Sequence, residues 1–146
     1  MATLTGYNAA VDDDFQLEDA AAAITASGAG STIIDLGAGV ELMLGDIFIA
    51  VSALDTVTGN EGYRINLEGS MSATFASGVV ELCDLSIGGA TDARVNGDVL
   101  ATVGNYALPF RTEQDDVNYR YLRLFFVLSG TTPSITCTAW GVKRHD

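Results

Sequence analysis

The segment YRYLRLFFVLSG, residues 119–130, contains the alternation of side chains that decides the fold class. In a β-strand, successive side chains point to opposite faces of the sheet, so this segment has two faces. One face carries one arginine followed only by apolar residues: Arg120, Leu122, Leu124, Phe126 and Leu128. We predict that this face fills a hydrophobic core.

The opposite face of the same segment is too apolar for a surface that meets only water. It carries Tyr119, Tyr121, Arg123, Phe125 and Val127. Tyrosine and arginine are enriched at the centres of protein interfaces. We therefore hypothesise that Tyr119, Tyr121, Arg123 and Phe125 contact another chain. The alternative is that a loop or the N-terminal arm of the same chain covers them.

Short alternating segments separated by turn residues recur along the chain. The predicted strands cover residues 31–36, 46–54, 63–71, 79–85, 99–103, 106–110, 119–128 and 134–142, and Asn96-Gly97 fits a hairpin turn. Residues 15–24, FQLEDAAAAI, are compatible with either a short helix or an extended arm. About eight short strands predict an all-β antiparallel sandwich or barrel, and an eight-stranded jelly roll fits this count. We expect an acidic N-terminal arm, residues 1–18, and a single domain, residues 19–146.

The charge of the chain is strongly negative and unevenly distributed. The net charge is −12, and residues 1–63 contain ten acidic residues and no basic residue. Such a chain repels phosphate groups, so we expect no nucleic-acid partner. The run Asp12, Asp13 and Asp14 is either a solvated stretch or a segment that docks on a basic partner surface. It lacks the spacing of a calcium loop, so we expect no metal there.

Residues that could carry chemistry are few. His145 is the only histidine and lies next to the last residue, a poor position for a catalytic triad. Cys83 and Cys137 lack the paired spacing of a zinc site, and no glycine-rich segment has the pattern of a phosphate loop. We expect no catalytic residue, no cofactor and no metal, and therefore no enzyme. No apolar run is long enough to span a membrane, and residues 1–14 have no pattern of a secretory signal.

Two segments carry a resemblance to a known family. TASGAGSTIIDLG, residues 25–37, and YRYLRLFFVLSGTTPSITCTAW, residues 119–140, resemble the small jelly-roll capsid cement, or decoration, proteins of tailed bacteriophages. The shared features are an IDLG turn, a late YLRL strand, a short Gly/Thr loop and a final strand. The likeness covers roughly residues 19–142, and the first eighteen residues fall outside it.

The resemblance implies a structural role in the virion. Proteins of this family bind the outer surface of the icosahedral head as small homo-oligomers and clamp neighbouring subunits of the major capsid protein. For this chain it implies a homo-dimer or homo-trimer, made in the cytoplasm of the host bacterium, with no catalytic residues. The alternative is a β-sandwich module of a virion spike or tail that binds carbohydrate or a receptor, because a fold does not determine a function.

Overall fold

The computed structural model describes residues 2–3, 10–11, 15–88 and 103–144. This part of the chain contains β-strands and no α-helix. The strands are β1 (Ala2–Thr3), β2 (Ala10–Val11), β3 (Gln16–Glu18), β4 (Gly28–Ala29), β5 (Ile34–Asp35), β6 (Leu44–Leu54), β7 (Gly62–Ser70), β8 (Val80–Gly88), β9 (Gly104–Arg111), β10 (Glu113–Gln114), β11 (Val117–Asn118), β12 (Tyr121–Ser129) and β13 (Ile135–Lys143). Asp12, Asp13, Asp14, His145, the Asn96-Gly97 turn and residues 99–102 of a predicted strand lie outside the described residues.

Two antiparallel sheets make up most of the described structure. In the first, the β12 sheet, the strand order is β4-β12-β7-β8, and β5 pairs with β12 on the same edge as β4. In the second, the β13 sheet, the order is β3-β13-β6-β9. Every strand pairing is antiparallel. The prediction of an all-β antiparallel fold is confirmed, and the two sheets are consistent with a β-sandwich.

The core lies between the sheets and is built from alternating residues of their strands. In β12, the inward side chains of Leu122, Leu124 and Phe126 are at most 1 % exposed. In β13, Ile135, Cys137 and Ala139 are buried to the same degree and belong to the same apolar cluster. The predicted inward face of β12 is therefore confirmed at its apolar positions.

Arg120 is an exception to the predicted inward face. β12 begins one residue later, at Tyr121, and the Arg120 guanidinium forms an ion pair with Asp35 (Nε to Oδ1, 2.6 Å). The Arg120 side chain is 31 % exposed, so its predicted place in the core is wrong. The physical reason is the cost of burying a charge, which favours a position where the guanidinium keeps both a carboxylate and water.

Residues 15–24 contain the short strand β3 and no α-helix. β3 pairs with β13 beside Ala139 and Trp140, and the Leu17 side chain is completely buried in the core. Farther along, Ile24 and Ile135 exchange backbone hydrogen bonds of 2.7 and 3.0 Å. The segment covers the edge of β13, which would otherwise leave its backbone groups unpaired. Pairing with β13 thus includes Gln16, inside the segment predicted as an arm.

The loops gather at two opposite ends of the strands. At one end, called the pocket end below, lie the loop of residues 36–43, the loop of residues 71–79, the β10–β11 hairpin and Lys143 at the end of β13. This placement follows from the register, since Tyr121 pairs with Ser70, and Lys143 pairs with Gly45. The opposite end holds the loops of residues 55–61 and 130–134.

Candidate interaction surface

The outward face of β12 holds three of the four residues predicted to contact another chain. Tyr121, Arg123 and Phe125 alternate with the core residues of the strand and are half-buried. Their cross-strand neighbours on β7 are Ser70, Glu68 and Asn66. The structure therefore brings Tyr121, Arg123 and Phe125 together, as the alternation predicts.

Tyr119 does not join this face. It precedes β12, and its backbone N–H donates a hydrogen bond to the Thr112 carbonyl (2.9 Å). A side chain at Gly69 would lie 2.9 Å from the Tyr119 Cβ, and Gly69 is paired with the core residue Leu122. Tyr119 thus lies on the core side of the β12 sheet. Tyr119 departs from the predicted alternation because the chain enters β12 from the β10–β11 hairpin, and regular strand geometry begins only after Arg120.

Arg123 is enclosed by residues of its own chain. Its Nε lies 2.8 Å from Glu68 Oε2, and the two side chains are only 17 % and 15 % exposed. The guanidinium carbon lies 4.3 Å from the centre of the Phe75 ring and 5.4 Å from that of Phe125. Guanidinium groups are attracted to aromatic faces at these distances. The loop of residues 71–79 therefore covers Arg123, while Tyr121 and Phe125 keep part of their surface.

Phe75, the residue of this loop that contacts Arg123, has an uncommon backbone conformation. Its φ angle is +55°, in the left-handed region, and its side chain is 7 % exposed. Its N–H donates a hydrogen bond to the Ser72 carbonyl (3.1 Å), which closes the turn. A non-glycine residue in this region costs about 1 kcal/mol or more. The burial of the ring and its contact with Arg123 offset this cost.

Further ion pairs lie on the outward face of the β12 sheet. Arg64 pairs with Glu81 (2.6 Å) and Asp84 (3.3 Å) across β7 and β8. Arg120 donates two hydrogen bonds to the Asp35 carboxylate, of 2.6 and 2.9 Å. These bonds lower the pKa of Asp35 to about 2, because they stabilise its charged form. The pKa of Arg120 is raised by the same contact.

A surface pocket of about 320 Å³ lies at the pocket end. Its lining combines the apolar residues Leu36, Val40, Leu42 and Met43 with the charged residues Glu41 and Lys143. The wall is anchored because the Met43 N–H donates to the hydroxyl of buried Thr112 (2.9 Å), whose N–H donates to the Met43 carbonyl (3.0 Å). The loop of residues 36–43 turns through Gly37 and Gly39, whose φ angles of +93° and +70° favour glycine.

Glu18 and the two cysteines are buried or partly buried groups that we assign to the fold rather than to chemistry. Glu18 accepts a hydrogen bond from the Ser31 N–H (2.7 Å), and burial raises the pKa of its carboxyl. The thiols of Cys83 and Cys137 are free and lie in different sheets. Burial raises their pKa values to about 11 and about 12, so both stay protonated and are poor nucleophiles.

The described residues contain neither a metal-binding cluster nor a long apolar helix. No cluster of three or more His, Cys, Asp or Glu side chains is placed to hold a metal ion in this part of the chain. A helix of the length and apolarity needed to cross a bilayer is likewise not found among the described residues.

Two features of this surface escaped sequence reasoning. Phe75 lies in the turn-rich stretch SMSATFASG, where no periodicity indicates its contact with Arg123. The pocket combines one loop with the end of a distant strand, so only the three-dimensional arrangement brings Leu42 and Lys143 together. The run Asp12, Asp13 and Asp14 lies outside the described residues, and its predicted role stays a prediction.

No family model and no curated protein matches the chain.

Proposed function

We propose that this chain is a capsid decoration protein with a jelly-roll fold, which binds the outside of a bacteriophage head and clamps neighbouring shell subunits. In this proposal it acts as a small homo-oligomer on the virion surface, without catalysis, cofactor or nucleic-acid partner. Its partners are the major capsid protein and further copies of itself.

The strand order supports the jelly-roll part of the proposal. If β4 and β5 count as one interrupted strand, eight strands form two sheets of four. The first and last of these strands, β3 and β13, are neighbours in one sheet, and the next pair inward, β4/β5 and β12, are neighbours in the other. Such nested pairing of early with late strands is what a chain folded as two Greek keys produces.

One observation carries the functional part. The two motifs that resemble the decoration family, IDLG at residues 34–37 and YLRL at residues 121–124, are hydrogen-bonded neighbours. Ile34 pairs with Leu122 and Asp35 with Tyr121. The Asp35–Arg120 ion pair adds a side-chain contact between the same two segments. Motifs far apart in sequence that meet in space behave as one structural unit. A shared unit is stronger support for the resemblance than two short motifs that match separately.

The architecture also suits a clamp. Its surface on the β12 sheet is an ordered array of ion pairs and stacked rings, and loops project at both ends of the strands. Rigid elements with projecting loops are a common way to present binding residues. A clamp repeated over a symmetric shell gains strength from many modest contacts, because each bound contact raises the effective concentration of the next.

The test is the copy number of this chain, relative to the major capsid protein, in purified DNA-filled virions of its source. We expect a ratio of the same order as the shell protein, and electron microscopy should place the copies on the outer surface. A handful of copies would contradict the proposal and favour a spike or tail module. Absence of the chain from the virion would contradict the proposed function as well, and would leave only the fold established.

A further inference from the structure

Exposed apolar side chains are concentrated at the pocket end. The large exposed apolar residues at or beside it are Ile33, Leu42, Leu44, Met71, Val79 and Val117. In the remaining described part of the chain, only Val57, Val103 and Val127 belong to this class. Leu42 lines the pocket and is 47 % exposed, and Leu44, on the other side of Met43 in the sequence, is 44 % exposed. Concentrated apolar surface of this kind marks interaction sites more often than single exposed residues do.

Lys143 gives the pocket a charge that is rare in this chain. Each arginine in the described ranges forms an ion pair with a carboxylate. These arginines are Arg64, Arg111, Arg120, Arg123 and Arg144. Lys143 has no ion pair among these residues, although Glu41 lines the same pocket. In a chain with a net charge of −12, an unpaired cation beside exposed leucines is available for a carboxylate of another molecule.

We propose that the pocket end is the surface that docks on the capsid shell, and that the pocket accepts an apolar side chain next to a carboxylate on the shell protein. The apolar side chain contacts Leu42 and Met43, and the carboxylate pairs with Lys143. This inference rests on the proposed function and names its contact site. It differs from the predicted contact through β12, where Arg123 is already enclosed by the chain itself.

Several features fit this occupant. A volume of about 320 Å³ is at the lower end of the range of small-molecule sites, and is adequate for one or two side chains. The pocket wall is held in place by the reciprocal bonds of Met43 and Thr112, so little ordering is needed on binding. An apolar anchor in a formed pocket, surrounded by a polar rim, is a common arrangement in protein interfaces.

The experiment measures binding of purified protein to heads of the source phage that lack it, by co-sedimentation. The variants are Lys143→Glu and Leu42→Asp, with Lys143→Met to remove only the charge. The matched control is Val57→Asp, which puts the same carboxylate on a side chain 94 % exposed at the opposite end. Thermal unfolding of each variant, expected within about 3 °C of the wild type because all three sites are at the surface, shows that the fold is intact.

We expect Lys143→Glu and Leu42→Asp each to weaken binding about tenfold or more, since like charges and a buried carboxylate both oppose docking. Lys143→Met should weaken it less and reduce its dependence on salt, whereas Val57→Asp should bind like the wild type. Binding of both pocket variants within twofold of the wild type would overturn the inference and leave the proposed function standing. Failure of the wild-type protein to bind heads would overturn both.

Discussion

The Arg123 side chain contacts three parts of the chain, namely β7, the loop of residues 71–79 and its own strand β12. Its guanidinium forms an ion pair with Glu68 on β7 and stacks on Phe75 from the following loop and on Phe125 of its own strand. The pair is mostly shielded from water, which strengthens its electrostatic attraction but also raises the cost of leaving one partner alone. The contribution of Arg123 to stability should therefore exceed that of an exposed surface arginine.

We predict that Arg123→Leu lowers the free energy of unfolding by about 1–3 kcal/mol, the range for charged hydrogen bonds whose partner is left behind. Arg123→Lys should recover only part of this, because an ammonium lacks the planar guanidinium that stacks on Phe75. Urea unfolding monitored by circular dichroism measures both. The matched control is Arg64→Leu, whose side chain is 47 % exposed and should lose less. Equal losses for the two leucine variants would contradict the prediction.

The backbone of Phe75 leads to a second prediction, with an unusual order of substitutions. Phe75→Ala removes the buried ring but keeps a side chain at φ +55°, whereas Phe75→Gly removes the ring and relieves the conformation. We expect both variants to be less stable than the wild type, and glycine to be more stable than alanine by about 1 kcal/mol. Glycine normally costs stability relative to alanine. A normal order in thermal unfolding would show that Phe75 is not strained.

Asp35 should make the stability of the fold depend on pH in the acidic range. Arg120 lowers the folded-state pKa of Asp35 to about 2 from its ordinary value of 3.8. A carboxyl whose pKa is lower in the folded state stabilises fully above its unfolded pKa, and loses this contribution as pH falls through the folded value. The difference in unfolding free energy between wild type and Asp35→Asn should therefore be constant above about pH 4.5 and shrink from there toward pH 2. A difference that stays constant down to pH 2 would contradict the prediction.

At the scale of elements, the alternation in residues 119–130 predicts the core face of β12. Leu122, Leu124 and Phe126 are in the core, as a period of two requires. The same reasoning fails at Tyr119 and Arg120, because the strand begins only after the β10–β11 hairpin. Where an element begins depends on contacts such as the Asp35–Arg120 pair, which join residues distant in sequence and leave no local pattern.

The loops at the opposite end supply a further prediction at this scale. Gly130 has a φ of +90°, and an added Cβ would overlap the carbonyl group of Asn60, lying 2.7 Å from its carbon. Gly130→Ala should therefore destabilise by at least about 2 kcal/mol, from both strain and overlap with backbone that cannot move freely. Gly78→Ala has a similar φ of +61° but open space, so it isolates the cost of strain. Equal effects in chemical unfolding would show that the loops do not pack as described.

At the scale of the whole molecule, composition and alternation were enough to predict the fold class. Strands, turn residues and the scarcity of helical periodicity indicate an antiparallel sandwich or barrel, and the structure has two antiparallel sheets. The candidate surface was only partly predictable, since Tyr121, Arg123 and Phe125 share a face as expected, while the cover by Phe75 and the pocket beside Lys143 were not foreseen. Both depend on loops that meet distant strands, and loop conformation is set by tertiary contacts rather than by a sequence period.

The net charge of −12 gives the last prediction. Excess acidic residues repel one another more in the compact state than in the unfolded chain, and salt screens this repulsion. The screening length falls from about 30 Å at 0.01 M salt to about 10 Å at 0.1 M. Salt also weakens the surface ion pairs, but most of these are exposed and contribute little to stability, so relief of repulsion should dominate. The midpoint of thermal unfolding should rise with sodium chloride over this range, by about 3 °C for each kcal/mol gained. A falling midpoint would mean that the ion-pair array, rather than net charge, sets the electrostatics of the fold.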